Sequence, residues 1–103
     1  MSNSALAAIS DLRLDSANVS LSMSADIDFD DFAELATALC AAMDLRVLER
    51  QWGADRHQWL VEFEGSRLWL NFELYGRCCW LNSENNADTE VLAYLQSLLE
   101  AQL

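Results

Sequence analysis

Residues 59–81 read Trp59-Leu60-Val61-Glu62-Phe63-Glu64-Gly65-Ser66-Arg67-Leu68-Trp69-Leu70-Asn71-Phe72-Glu73-Leu74-Tyr75-Gly76-Arg77-Cys78-Cys79-Trp80-Leu81, and this stretch decides the fold. Gly65-Ser66 and Tyr75-Gly76 have the composition of two-residue hairpin turns, and they bracket a strand from Arg67 to Leu74. Taken literally, the turns predict a register. Phe63 faces Leu68, Val61 faces Leu70 and Trp59 faces Phe72; across the next turn Phe72 faces Cys79 and Leu70 faces Leu81. One face is then apolar throughout, and a one-residue slip would invert it. The other face pairs Glu64 with Arg67, Glu62 with Trp69 and Asn71 with Trp80.

Upstream, Leu45 to Trp52 supplies a further strand. Both its faces are mixed, and a bulge would exchange them. At the N-terminal side Leu12 and Leu14 alternate with Asp11, Arg13 and Asp15, and Val19, Leu21 and Met23 alternate with three serines. That is the period of half-buried strands. Asp15-Ser16-Ala17-Asn18 between them is turn chemistry, and closing it places Leu14 opposite Val19 and Leu12 opposite Leu21.

Two helices complete the pattern. Between about Phe29 and Met43, Phe32, Leu35, Ala36, Leu39 and Met43 form one apolar stripe. Asp28 suits its N-cap, Asp30 and Asp31 suit the positive end of the helix dipole, and Ile27 can staple onto Phe32. The run Asp26 to Asp31 is thus accounted for by helix initiation rather than by a Ca²⁺ loop, which needs a Gly turn that is missing here. The second helix runs from about Asp88 to Gln102 on Val91, Leu92, Leu95, Leu98 and Leu99, with Asn85, Asn86 and Asp88 as candidate caps. The expectation is one α+β domain over residues 1–103, in the order ββ-α-ββββ-α: an antiparallel sheet, made of an N-terminal hairpin and a four-stranded meander, with two amphipathic helices.

A chain of 103 residues, 52% hydrophobic and without proline, can bury one modest core. Its net charge of −11 is unevenly spread: residues 1–44 carry −7, residues 45–77 balance five Arg against five acids, and residues 78–103 carry −4. Such a chain repels phosphate, which excludes nucleic acid and anionic membrane as partners by charge and leaves a basic protein as the natural complement. No stretch approaches the ~20 apolar residues of a membrane span, and Met1-Ser2-Asn3-Ser4 lacks the basic start of a signal peptide. Three cysteines, an odd number, point to reduced thiols in the cytoplasm.

Chemistry-bearing residues are few. His57 is the single histidine, and the register separates it from Cys79 by two strand spacings, about 9.6 Å, too far for a catalytic dyad. One His and three scattered Cys do not make a zinc site. No catalytic residue, metal site or cofactor is expected. Two surfaces remain. Because alternate turns share an end of a meander, Arg56 and His57 lie beside Tyr75 and Arg77, near Arg50 and Trp52, as a cationic and aromatic loop end. Leu60, Trp69 and Trp80 fall on the sheet face opposite the core, either exposed as an interface or covered by helix 2 or the N-terminal hairpin.

The octapeptide Trp52-Gly53-Ala54-Asp55-Arg56-His57-Gln58-Trp59, followed by Phe63-Glu64-Gly65, resembles an uncharacterised bacterial family of short domains of unknown function, the likeness spanning most of residues 29–99. The resemblance implies a small cytoplasmic α+β protein and carries no activity with it. The functional expectation is therefore a non-enzymatic protein-interaction domain, adaptor-, chaperone- or immunity-like, bound to a second copy or to a basic partner. The alternative is a binder of a small anionic ligand, or an enzyme acting on one, at the Arg56, His57 and Arg77 end.

Overall fold

The computed structural model describes residues 4–103; Met1, Ser2 and Asn3, part of the segment read for a signal peptide, lie outside the described residues. Strands β1 (Ile9–Asp15) and β2 (Ser20–Ala25) precede helix α1 (Phe32–Ala42). The meander β3 (Arg46–Trp52), β4 (Arg56–Phe63), β5 (Ser66–Glu73) and β6 (Cys78–Asn82) follows, and helix α2 (Thr89–Glu100) closes the chain. All six strands form one antiparallel sheet in the order β1-β2-β6-β5-β4-β3. The N-terminal hairpin extends the meander by pairing β2 with β6, so it lies beside the sheet and covers neither face.

Alternation along each strand sends one set of side chains into the core. Leu21, Met23, Trp59, Val61, Leu68, Leu70, Phe72, Cys79 and Leu81 are buried on one face. The stripe of α1 (Phe32, Leu35, Ala36, Leu39, with Met43 beyond its end) and that of α2 (Leu92, Leu95, Leu99) pack against them. Val91 and Leu98 flank the core and are partly buried. Both helices therefore occupy one face, and the sheet's other face has no layer over it among the described residues.

The expected pairing of β4 with β5 needs correction. The turn residues are Glu64 and Gly65, at φ 47° and 88°, so Phe63 pairs with Ser66, Val61 with Leu68, Trp59 with Leu70 and His57 with Phe72. Left-handed backbone at both central positions is the primed turn that matches the strands' twist. On the outer face Glu62 meets Arg67 and Leu60 meets Trp69. The turn centre sits one residue earlier than expected, so the register moves by two and every side chain keeps its face. The β5–β6 pairs are as expected: Leu70 with Leu81, Asn71 with Trp80, and Phe72 with Cys79. Their connection is a four-residue turn, Leu74 to Arg77, closed by Arg77 N–H donating to the Leu74 carbonyl at 3.1 Å.

The N-terminal hairpin shows the same slip. Leu14 pairs with Leu21, not Val19, because the turn is Ser16 to Val19. Asn18 stabilises it from within, its backbone N–H donating to Asp15 Oδ1 at 3.2 Å and its side chain to Oδ2 at 2.7 Å. Both bonds favour the charged form and hold the Asp15 carboxyl below its usual range. Leu12 does not pair with Leu21, which Leu14 takes, and instead falls in a bulge of β1 between Ser10 and Arg13. A second bulge, between Val47 and Glu49, resolves the mixed faces of β3.

Each α-helix is entered through a 3₁₀ turn, Phe29–Asp31 and Asn86–Asp88, where the sequence pattern suggests α-helix from Phe29 and from Asp88. Asp28 caps the first, its backbone N–H lying 3.4 Å from Asp31 Oδ2. Asn85 caps the second, its side-chain oxygen accepting from the Ala87 N–H at 3.0 Å. Asp88 is buried there and accepts from Ser66 Oγ at 3.1 Å and Ser83 Oγ at 2.5 Å, which ties the start of α2 to the start of β5.

Candidate functional site

The open face of the sheet carries Leu60, Trp69 and Trp80 together. Leu60 pairs with Trp69 across β4 and β5, and Trp69 pairs with Asn82 of β6. Asn71, two residues along β5 from Trp69 and directly opposite Trp80, is only 6% exposed although it faces outward. Its amide is fully used: Nδ2 donates to Asn82 Oδ1 at 2.8 Å and to the Trp69 and Trp80 carbonyls, and Oδ1 accepts from Gln58 Nε2 at 3.1 Å. The tryptophans, half-buried like Gln58 and Asn82, lie beside this amide chain, of which Asn71 is the buried centre. Sequence reasoning selected the tryptophans but missed Gln58, Asn71 and Asn82. Their signal was available: three side-chain amides fall in neighbouring positions of one sheet face once the strands are aligned.

Beside Trp69 the face drops into a groove of about 470 Å³. Leu60, Trp69 and Arg67 form its sheet wall, and Ser83, Glu84, Asn85 and Asp88 its loop wall. Ser66 and Ser83 spend their hydroxyl protons on Asp88, so this wall is a braced, pre-ordered loop.

The residues expected at the loop end do not converge. The two loops meet, since Leu74 N–H donates to the Asp55 carbonyl at 2.9 Å. The side chains then part. Arg56 shares the open face with Glu73 and bonds Asp55 at 3.4 Å. His57 turns to the helix face, where its ring stacks on Phe29 and Phe32 at centroid distances of 4.1 and 4.7 Å. Its Nε2 lies 2.9 Å from the Phe29 carbonyl, which can only accept, so Nε2 holds the proton and donates. His57 thus supports the entry into α1. Arg77 reaches the Ile27 carbonyl at 3.1 Å and the carboxylates of Asp26 and Asp28 at 3.4 and 3.9 Å. Tyr75 projects into solvent, 81% exposed. Arg50 lies over the buried Trp59 ring at 4.7 Å, a cation–π contact on the helix side.

His57 pairs with Phe72, not with Leu74 as the expected register has it, and Phe72 pairs with Cys79. The histidine and the thiol occupy one row with a strand between them, about 9.6 Å apart. Cys40 and Cys79 are buried and Cys78 is half-buried on the open face; all three are free thiols. Burial pushes the Cys40 thiol up to about 11, against the pull of Arg50. Burial also drives Cys79 well up, assisted by Cys78 and Cys40, and raises Cys78 with help from Glu73. Thiols shifted in this direction are poor nucleophiles at neutral pH. Among the described residues no three His, Cys, Asp or Glu side chains are grouped to hold a metal ion, and no helix is long and apolar enough to cross a membrane.

The family described as "Protein of unknown function (DUF3630)" matches residues 9–100, from the first residue of β1 to the last of α2. The chain belongs to this family. The match covers every strand and both α-helices, so the six-stranded sheet with one open face is the family's domain as this chain presents it. No curated protein and no solved structure matches the chain.

Proposed function

We propose that this member of the family is a non-enzymatic protein-interaction domain, working in the cytoplasm in an adaptor-, chaperone- or immunity-like capacity, and that the open face of its sheet is the docking surface. The observation that carries this reading is the placement of Leu60, Trp69 and Trp80 around a hydrogen-bonded amide chain on the one face that no helix covers among the described residues. Aromatic residues surrounded by satisfied polar groups are the usual centre of a protein–protein contact. The groove beside Trp69 offers a partner's side chain a place to insert, and its braced loop lowers the ordering cost of binding. The free thiols are in keeping with a reducing compartment. The anionic-ligand alternative loses its support in the geometry, because Arg56 and Arg77 each face a carboxylate and His57 is engaged by Phe29.

Replacing Trp69 and Trp80 together by Ser is expected to abolish partner capture while the fold persists. The two rings are half-buried, so the cost lies at about 1–2 kcal/mol each, below the 3–5 kcal/mol of a fully buried aromatic. Circular dichroism and urea unfolding check the fold. Affinity capture from the native host with wild-type and variant bait checks the surface; a folded variant that retains every wild-type partner would overturn the reading.

A further inference from the structure

The charges of this protein are sorted by face. The register places Arg13, Arg46, Arg56 and Arg67 on the open face with Asp15, Glu49, Glu62 and Glu73. Asp11 joins them from the β1 bulge, its carboxylate 3.5 Å from Ser24 Oγ, and Glu84 and Asp88 line the adjoining groove, so four arginines meet seven carboxylates and the open face carries −3. The other ten carboxylates, set against Arg50 and Arg77 alone, carry −8 of the net −11. The charges on the face are also confined to its margins: Arg13 and Asp15 on edge strand β1, Arg46 and Glu49 on edge strand β3, and Arg56, Glu62, Arg67 and Glu73 toward the strand ends. Its centre holds Leu60, Trp69, Trp80 and the Gln58–Asn71–Asn82 amides.

Resting on the reading of this face as a docking surface, we infer that its occupant is a second copy of the same chain, the two sheets packing face to face as an isologous dimer. Three arguments select this occupant. A basic partner would be drawn to the acidic helix layer, whereas the open face, where four of the six arginines lie, presents the weaker field to it. A copy bearing −11 is repelled most strongly from every other approach, but here it meets the least acidic surface, with four of the six arginines, whose charges of both signs can pair about a two-fold axis. Face-to-face packing sets the sheets about 10 Å apart and the two acidic layers roughly 30 Å apart, several Debye lengths at physiological salt.

Edge pairing is the competing route to a dimer, and the sheet is closed to it. Both edge strands, β1 and β3, are bulged and bear charged residues, which is how sheets blunt their edges. The area also suffices. Six strands about 4.8 Å apart and about 20 Å long offer on the order of 500 Å² per copy, or about 1,000 Å² in total, where specific interfaces begin.

Sedimentation equilibrium of the intact chain from micromolar to millimolar concentration tests the inference. The mass is expected to rise from 11.6 kDa toward twice that value, and to do so at lower concentration as salt screens the two acidic bodies. Trp69→Glu and, separately, Leu60→Glu should each weaken association at least tenfold with unchanged circular dichroism. Should neither variant fold, the wild type retains a readout: Cys78 lies on the open face, so its rate of modification by a thiol reagent should fall as concentration rises. A wild-type mass of 11.6 kDa throughout overturns the dimer and leaves the docking face to be judged by the capture experiment. A dimer that survives in a folded Trp69→Glu or Leu60→Glu chain, or a concentration-independent Cys78 rate in a dimerising wild type, also overturns it.

Discussion

Cys78 and Cys79 are neighbours in sequence and opposites in environment, because successive strand residues point to opposite faces. Cys79 and Cys40 lie in the core, where forming a thiolate means placing a charge among apolar side chains. Native labelling at neutral pH should therefore modify Cys78 alone, with Cys40 and Cys79 reacting only after urea unfolding. Mass spectrometry of the labelled peptides checks the order, and rapid native labelling of Cys79 would contradict its placement. The same shifts act on stability. Because folding raises these pKa values, the folded state holds protons that the unfolded thiols release near 9.0. The contribution is complete below that pH and is lost as pH climbs toward the folded values, so the urea midpoint should decline above about pH 9. His57 shows the same dependence on surroundings: a lone histidine in a loop-end sequence becomes an aromatic plate with one donated hydrogen bond.

The hairpin of β4 and β5 is the element on which the open face is built, and its turn sets which outer residues are neighbours. Gly65 at φ 88° occupies a region that residues with a β-carbon enter at a cost, and Glu64 at φ 47° already bears part of that cost. A β-carbon at Gly65 meets open space, so the penalty of substitution is conformational rather than steric crowding. Gly65→Val should destabilise the protein by about 1–3 kcal/mol. Urea unfolding within about 0.5 kcal/mol of wild type would show that this turn tolerates right-handed backbone. The 3₁₀ turn ahead of α2 is anchored to the same hairpin through the Ser66–Asp88 bond, so the groove wall and the turn form one unit.

Across the whole molecule, the acidic helix layer stores repulsion. Asp26, Asp28, Asp30, Asp31 and Glu34 crowd the entry to α1, and Arg77 answers only two of them. Like charges this close destabilise the compact state, and salt screens them. Raising sodium chloride from low to physiological ionic strength should raise the urea midpoint, most clearly at protein concentrations too low for association. A midpoint that falls with salt would mean that exposed ion pairs such as Arg46–Glu62, 2.7 Å apart, outweigh the repulsion.

Alternation by twos along the strands determined, from sequence alone, which side chains enter the core, and the spacing of three and four along the helices determined their buried stripes. Element order and the position of Leu60, Trp69 and Trp80 on the sheet face opposite the core follow from those periods, which need no partner to be read; whether a helix or the hairpin covers that face does not. The β4–β5 and N-terminal registers did not follow. A two-residue slip leaves every face assignment intact, so hydrophobic pattern cannot distinguish Trp59 opposite Leu70 from Trp59 opposite Phe72. Only the folded turn, with left-handed backbone at Glu64 and Gly65, settles it. Three further decisions belong to tertiary structure. They are the docking of β2 on β6, the stacking of His57 on Phe29 and Phe32, and the assembly of Gln58, Asn71 and Asn82 into one amide chain. Each depends on residues distant in sequence meeting across strands, and local propensity holds no record of those meetings.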